Sequence, residues 1–284
     1  MEDKGRESIM LSFDFDYFRP KTLQEAVGLF QNADQNGKKP MFISGATEFL
    51  TLGRINLVHT EAAIDLKDIA EGNVMQLEQG YLVLGANLTL TIIEEANLFP
   101  LLTKTSSNIA DHTARGKITL GGNICGQIFY REAVLPFLLA DSQVVIVGPE
   151  GVTVKPINEV FNEQLKLKKG EFLIQVATDD RYIHAPFISI KRRQQWETGY
   201  PLITVAALKI DGEVRTAFSG LCPFPFRSKK MEDALNNHNL SVTERIQSAL
   251  AQLPSPILND VEGSSAYRLF VLENLLEDVL GALD

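Results

Sequence analysis

The hexapeptide Thr119-Leu120-Gly121-Gly122-Asn123-Ile124 constrains this chain more than any other stretch. It lies between a basic, polar lead-in (Arg115, Gly116, Lys117) and an apolar segment that runs through Phe137 and Leu138. Two successive glycines lack Cβ atoms, so the backbone can take positive φ and bring consecutive N–H groups onto one anion. Thr119 and Asn123 add side-chain donors. Gly-Asn flanked by apolar residues is also a hairpin or bulge signal, and taken alone the stretch favours that plainer reading.

A second turn changes the balance. Ser44-Gly45-Ala46-Thr47-Glu48-Phe49-Leu50 follows the apolar strand Met41-Phe42-Ile43 and again sets glycine beside threonine. Two anion cradles in one chain suit a diphosphate. No G-x-G-x-x-G follows the first strand, and Gly116-Lys117-Ile118-Thr119 lacks Walker spacing, so neither a Rossmann fingerprint nor a P-loop is available.

Composition narrows the partners. With 284 residues, 45% hydrophobic and 22% charged, the chain has globular values and the length for two domains. A net charge of −9 argues against nucleic acid or an anionic membrane, both of which demand a basic face. No apolar run reaches the roughly 20 residues of a membrane-spanning helix, and Met1 to Met10 is charged and polar, so the cytoplasm is the expected location. Two cysteines, Cys125 and Cys222, cannot build a disulfide framework, a zinc ribbon or a four-cysteine iron–sulfur site. Any iron–sulfur cluster must come from another chain. His59, His112, His184 and His238 are scattered, with no carboxylate or cysteine at ligand spacing, so no metal site is expected.

The pattern predicts a strand over Phe13 to Arg19, then a helix entered through the capping box Thr22-Leu23-Gln24-Glu25, with Leu23, Ala26, Val27 and Phe30 on one stripe. With the strand around Phe42 this is a βαβ-like opening. A strand at Ala62 to Leu66 follows, then a hairpin pairing Val74 to Leu77 with Tyr81 to Leu84, a short helix at Thr91 to Ala96, and a helix from Pro100 that buries Leu101, Leu102, Thr105 and Ile109. Beyond the second cradle, Val144 to Val147 pairs with Gly151 to Val154, and Phe172 to Ala177 is a further strand. Thr178-Asp179-Asp180 is the candidate boundary, because the pattern then becomes a strand run followed by helices. Tyr182 to Ile190, Leu202 to Ile210 and Val214 to Leu221 read as a three-stranded antiparallel meander that Pro223 and Pro225 stop. Helices at Ser228 to Leu235, Val242 to Leu253 and Ala266 to Leu283 complete the chain, the last with Tyr267, Val271, Leu275 and Val279 on one stripe.

With these features in order, the chain resembles the FAD-binding subunit of the molybdenum hydroxylases, the xanthine dehydrogenase and carbon monoxide dehydrogenase family. The likeness rests on Phe15, Tyr17 and Pro20, on Ser44 to Leu50, on Leu84-Gly85-Ala86, and on Arg115 leading to Thr119 to Ile124. Lys191-Arg192-Arg193, the Asp211-Gly212 hairpin, Pro225-x-Arg227 and Tyr267-Arg268 extend it over nearly the whole length.

The resemblance implies an α+β fold, with a two-part FAD-binding domain of the PCMH/VAO type over residues 1–178 and a smaller domain over 179–284. It implies a flavin diphosphate between Ile43, Ser44, Gly45, Ala46, Thr47 and Glu48 on one side and Thr119, Gly121, Gly122 and Asn123 on the other. Glu132 stands where the family usually has an aspartate near the adenosine ribose. Ile109, Ala110, Ala114, Gly126 and Leu173 complete the implied contacts, with Lys191 as the nearest substitute for a displaced lysine. Three departures stand out: Ala46 replaces a usual glycine, Gln127-Ile128-Phe129-Tyr130-Arg131 replaces a stretch of small residues, and Ile188 or Ser189 occupies the lysine's usual place.

The implied role is electron transfer, from a two-iron, two-sulfur small subunit through FAD to NAD or another acceptor, beside a molybdopterin-binding large subunit. No catalytic acid, base or nucleophile is expected on this chain. Two alternatives stay open: an assembly subunit that keeps the fold without flavin, and a stand-alone flavin oxidase. Lys191-Arg192-Arg193 serves equally as a cofactor or partner contact and as a solvated strand end. Trp196 covers a flavin edge or merely packs, and Cys125 is by default a buried, inert thiol.

Overall fold

The computed structural model describes residues 11–193 and 199–284. The expectations placed on Met1 to Met10 and on Trp196 lie outside the described residues. The chain opens with β1 (Asp16–Phe18), α1 (Leu23–Gln35), β2 (Pro40–Ile43), α2 (Thr47–Arg54) and β3 (Ala62–Asp65). β1 is shorter than the alternation over Phe13 to Arg19 predicts. Thr22 caps α1 by accepting from the Glu25 amide, but Glu25 returns its carboxylate to the Lys21 amide rather than to the cap, so the box is only half formed. Ala26 and Phe30 carry the buried stripe of α1, packing with Ile64, Phe172 and Ile174. The three strands are parallel in the order β1-β3-β2, so the third strand slots between the first two instead of extending them.

The second layer begins with β4 (Met75–Glu78) and β5 (Tyr81–Gly85), joined through Gln79 and Gly80, both at positive φ as a tight hairpin turn demands. α3 (Leu90–Ala96), α4 (Pro100–Ser106), α5 (His112–Arg115), α6 (Leu120–Cys125) and α7 (Leu135–Leu139) follow, then β6 (Gln143–Gly148) and β7 (Gly151–Pro156). Pro100 occupies the first turn of α4, where its missing N–H costs nothing, and Leu101, Leu102 and Thr105 are buried as predicted. Ile109 lies beyond that helix. A short excursion through α8 (Ile157–Val160), β8 (Phe161–Asn162) and β9 (Gln164–Leu165) leads to β10 (Phe172–Asp179). β10 inserts at the centre of a five-stranded antiparallel sheet, β4-β5-β10-β6-β7, with Leu173 and Val176 in the largest core and Phe172 and Ile174 on the other face against α1.

The last sheet contains β11 (Phe187–Arg192), β12 (Ile203–Ile210), β13 (Glu213–Ser219) and β14 (Phe226–Arg227), all antiparallel. β11 starts five residues later than predicted, because Asp180–Tyr182 forms a 3-10 turn. β14 corrects the expectation that the prolines end the sheet: Pro223 and Pro225 precede it, and Phe226 and Arg227 rejoin beside Phe218 and Ala217. α9 (Lys229–Leu235), α10 (Val242–Leu250) and α11 (Ser265–Leu283) cover one face. The buried stripe of α11 is turned from the predicted one. Tyr267 is half exposed, and Arg268, Leu272, Leu275, Leu276 and Val279 point inward.

Two polar clusters fix this sheet in place. Arg268, fully buried, donates to the Leu202, Gly220 and Gly263 carbonyls and to Asp260, which ties α11 to the start of β12 and the end of β13. Arg227 and Arg215 reach across to the end of α7, donating to the Leu138 and Leu139 carbonyls and to Asp141, while Arg227 also pairs with Glu232. These contacts satisfy helix C-terminal carbonyls that have no partner within α7.

Candidate cofactor site

A cavity of about 650 Å³ lies where the two predicted turns meet, a volume within the usual range for small-molecule sites. Its wall carries Ile43, Ser44, Gly45, Ala46, Thr47 and Glu48 from the first turn, and Thr119, Gly122, Asn123 and Gly126 from the second. Ile109, Ala110, Glu132 and Lys191 complete the expected residues that the fold brings together. Three others lie elsewhere. Gly121 is buried against Ala86, Leu173 faces the main core from β10, and Ala114 sits in α5 with its amide bonded to the Asp111 carboxylate.

The turns touch through backbone. A Cβ on Gly45 would fall 2.1 Å from the Lys117 carbonyl oxygen and 3.1 Å from the Thr119 amide nitrogen, so only glycine fits there. Glu48 spans the same junction: its carboxylate accepts the Gln127 amide at 2.6 Å and the Ile128 amide at 2.9 Å. Ser44 hydroxyl donates to Asn87 at 2.9 Å, and Asn87 in turn donates to the Leu66 carbonyl.

The two turns differ in what they offer an anion, and here the paired-glycine expectation is corrected. Residues Leu120–Cys125 form a helix capped by Thr119, and neither Gly121 nor Gly122 takes positive φ. The first amides of that helix are already used: Leu120 donates to Leu88, Gly121 to Ala86, Gly122 to the Thr119 hydroxyl and Asn123 to the Thr119 carbonyl. The glycines serve close packing, since a Cβ on Gly121 would lie 2.7 Å from that of Ala86 and one on Gly122 2.8 Å from the Thr119 hydroxyl.

The first turn carries the free donors. Ala46 caps α2 in the left-handed region at φ 55°, and among the described residues no protein acceptor meets the amides of Gly45, Ala46, Thr47, Glu48 or Phe49. A left-handed residue leading into a helix start gathers successive N–H groups into a concave, electropositive nest, and the macrodipole of α2 adds to it. Such a row of unpaired amides on a cavity wall fits a diphosphate.

At another part of the wall, Glu132 and Lys191 form an ion pair at 2.9 Å with both side chains 3% exposed. Glu132 also accepts the Thr204 hydroxyl at 2.6 Å, and Lys191 donates to the Asn108 carbonyl at 2.7 Å. Burial pushes the Lys191 ammonium below its ordinary value, and Glu132 counteracts that by favouring the charged form.

Aromatic and apolar residues that sequence reasoning did not single out complete the wall. Met41, Phe42 and Val58 line it, as do Tyr130 and Tyr200, whose rings stack at 4.4 Å and 15°. Burial pushes the Tyr130 phenol up to about 12, so it stays protonated at neutral pH. The only sequence signal for Tyr130 is its place in the unusual 127–131 segment; none pairs it with a residue seventy positions on. Cys125 corrects the expectation of a buried thiol: it keeps an exposed edge on the cavity wall, although the atoms packed round it push the thiol up to about 12. Arg115, in the lead-in to the second turn, pairs with Glu94 at 2.9 Å and donates to the Ile109 and Ala110 carbonyls. Among the described residues no group of three or more His, Cys, Asp or Glu could hold a metal ion, and no helix is long and apolar enough to cross a membrane.

Residues 13–178, which hold the entire first-turn nest and most of the cavity wall, match the family described as FAD binding domain in molybdopterin dehydrogenase. The chain belongs to this family. Its cofactor is FAD, and it is a component of an oxidoreductase. The chain is 25% identical to a xanthine dehydrogenase FAD-binding subunit of Escherichia coli O157:H7, over 94% of this chain and 96% of that one. It is 23% identical to a nicotinate dehydrogenase FAD-subunit of Eubacterium barkeri, over 87% and 86%. Its fold is that of a chain in the carbon monoxide dehydrogenase of Hydrogenophaga pseudoflava, with a TM-score of 0.84 at 20% identity over 95% of this chain and 97% of that one. The α+β architecture and the PCMH-type cofactor domain implied by the resemblance are those of the family.

Proposed function

We propose that this chain is the electron-transfer subunit of a multi-subunit molybdenum hydroxylase of the xanthine dehydrogenase type. In that assembly it stands between a two-iron, two-sulfur small subunit and NAD or another acceptor, with molybdopterin on a separate large subunit. The observation that carries the reading is the row of unpaired amides from Gly45 to Phe49, set on a cavity large enough for a nucleotide cofactor. FAD, when bound, supplies a carrier that accepts electrons singly and delivers them in pairs.

The chain's own residues hold and shield that carrier. Gly45 through Phe49 would bind the diphosphate through backbone donors. Glu48, fully used by the Gln127 and Ile128 amides, holds the opposite wall at a fixed distance. Thr119 acts mainly as a helix cap, and Gly122 leaves room on the wall for the cofactor. Gly126, Ile109, Ala110 and Asn123 line the remaining surface, and the stacked Tyr130 and Tyr200 form an aromatic part of it. Lys191 and Glu132 place a neutralised, buried charge pair at the wall without spending stability on an unpaired ion.

We assign the cofactor domain to residues 1–178 and the remainder, 179–284, to a domain that closes the cavity through β11 and the Tyr200 segment. The cytoplasm is the location that fits an acidic chain of this kind. The free amide row favours a flavin-carrying subunit over an assembly subunit that has lost its cofactor. The test is the visible spectrum of the purified chain, followed by heat release and chromatography of the chromophore. FAD at about one per chain supports the assignment; a colourless protein that takes up no added FAD removes it.

A further inference from the structure

The turn Asn108-Ile109-Ala110-Asp111 has three successive carbonyls held by cations. Asn108 accepts from Lys191 at 2.7 Å and from Arg193 at 2.8 Å. Ile109 and Ala110 accept from the same Arg115 nitrogen at 3.2 and 3.1 Å. Arg115 is 8% exposed, and its only carboxylate partner among the described residues is Glu94 at 2.9 Å.

Each carbonyl belongs to a peptide unit whose amide is on the next residue and points the opposite way. The two units held by Arg115 therefore end in the amides of Ala110 and Asp111. Ile109, Ala110 and Asp111 all line the cavity, and among the described residues neither of those amides has a protein acceptor. Ala110 is left-handed at φ 49°, the conformation that makes consecutive N–H groups converge. A hydrogen bond from a guanidinium to a carbonyl polarises the peptide unit and strengthens the donor at its other end. Asp111, the nearest carboxylate in the turn, has one oxygen committed to the Ala114 amide.

Resting on the assignment of FAD to this cavity, we propose that Arg115 is a positioning residue. It aims the amides of Ala110 and Asp111 at a pyrimidine-side carbonyl oxygen of the flavin and so favours the reduced cofactor. The physical basis is that of an oxyanion hole: fixed donors gain most where negative charge grows, and that oxygen gains charge when the ring is reduced. The nest at Gly45 to Phe49 takes a diphosphate, whose charge does not change with redox state; the second nest takes an oxygen whose charge does.

The experiment measures FAD affinity in both oxidation states, and the midpoint potential by spectrophotometric titration, for wild type, Arg115→Lys and Glu94→Gln. Lysine keeps the charge but cannot hold both carbonyls with one planar group. Arg115→Lys is expected to bind oxidised FAD within about twofold of wild type and reduced FAD about tenfold more weakly. For a two-electron couple that ratio is a fall of about 30 mV. Glu94→Gln, at a side chain 28% exposed, leaves Arg115 without its competing carboxylate and should move the potential upward. If both oxidation states weaken together in Arg115→Lys and Glu94→Gln leaves the potential where it was, the turn is scaffolding and the proposal falls. Should Arg115→Lys fail to fold, the sign of the Glu94→Gln shift decides. A wild-type chain that binds no FAD fails at the assignment itself, a result separate from an unshifted potential.

Discussion

Replacing Ala46 by glycine should stabilise the protein, although it deletes a methyl group from a folded turn. Ala46 sits at φ 55°, where a Cβ approaches the following carbonyl oxygen and costs about 1–2 kcal/mol. Glycine removes that strain but adds about 0.4–1 kcal/mol of entropy to the unfolded chain. The net gain is about 0.5–1 kcal/mol, which at roughly 2–4 °C per kcal/mol for a chain of this size raises Tm by about 2 °C. The neighbouring position gives the opposite sign. Gly45 has ordinary φ, but an added Cβ would stand 2.1 Å from the Lys117 carbonyl oxygen. The two turns would have to separate, at about 1–3 kcal/mol, so Gly45→Ala should lower Tm by several degrees. The assay is thermal unfolding of the flavin-free chain by circular dichroism, with FAD uptake measured on the same samples. Ala46→Gly keeps the amide row and should keep the uptake; Gly45→Ala should lose much of it. A melting point for Ala46→Gly below wild type would refute the reasoning, because it would mean that the methyl makes contacts worth more than the strain.

Glu48→Ala removes two backbone-to-carboxylate hydrogen bonds that hold residues 127 and 128. A cost of about 2 kcal/mol for that charge-assisted pair corresponds to roughly thirtyfold weaker FAD binding by calorimetry. Glu48→Gln keeps one acceptor oxygen and should fall between. For Asp141, partial burial pushes the carboxyl up, but Arg227 and Arg215 outweigh it and hold the group below the usual carboxylate range. Its contribution to stability is therefore complete above the unfolded-state value near 3.9 and is lost as pH falls through the folded value. Denaturant melts from pH 6 to 3 should show a steeper acid decline for wild type than for Asp141→Asn; parallel curves would sink the argument.

The local devices were legible in the sequence wherever one short segment decides the outcome. The Thr22 cap, the Pro100 helix start, the Asp211-Gly212 turn and the two hairpins depend on backbone chemistry within a few residues, and each is present. The paired glycines do not supply the free amides that their spacing suggests. Gly121 and Gly122 sit in a helix whose amides are spent on Ala86, Leu88 and Thr119, and no local pattern reveals that, because two of those acceptors lie more than thirty residues away. Ala46, which looked like a defect in the first cradle, is the residue whose conformation opens the free amide row. β14 was missed because a two-residue strand after prolines has no period of its own, and only the edge of β13 defines it.

By itself, the sequence determined most of the longer elements and the two segments that meet at the site, because these are written in local periodicity and turn chemistry, while the order of its motifs carried the resemblance to the family and so to its cofactor. Tertiary structure decided which donors are free. It put Gly45 against Lys117, passed Glu48 across to residues 127 and 128, drew Arg115 behind the 108–111 turn, and stacked Tyr130 on Tyr200. Whether a polar group faces a ligand or is already satisfied depends on partners brought together from distant parts of the chain, and hydrogen-bond saturation is a property of the packed molecule.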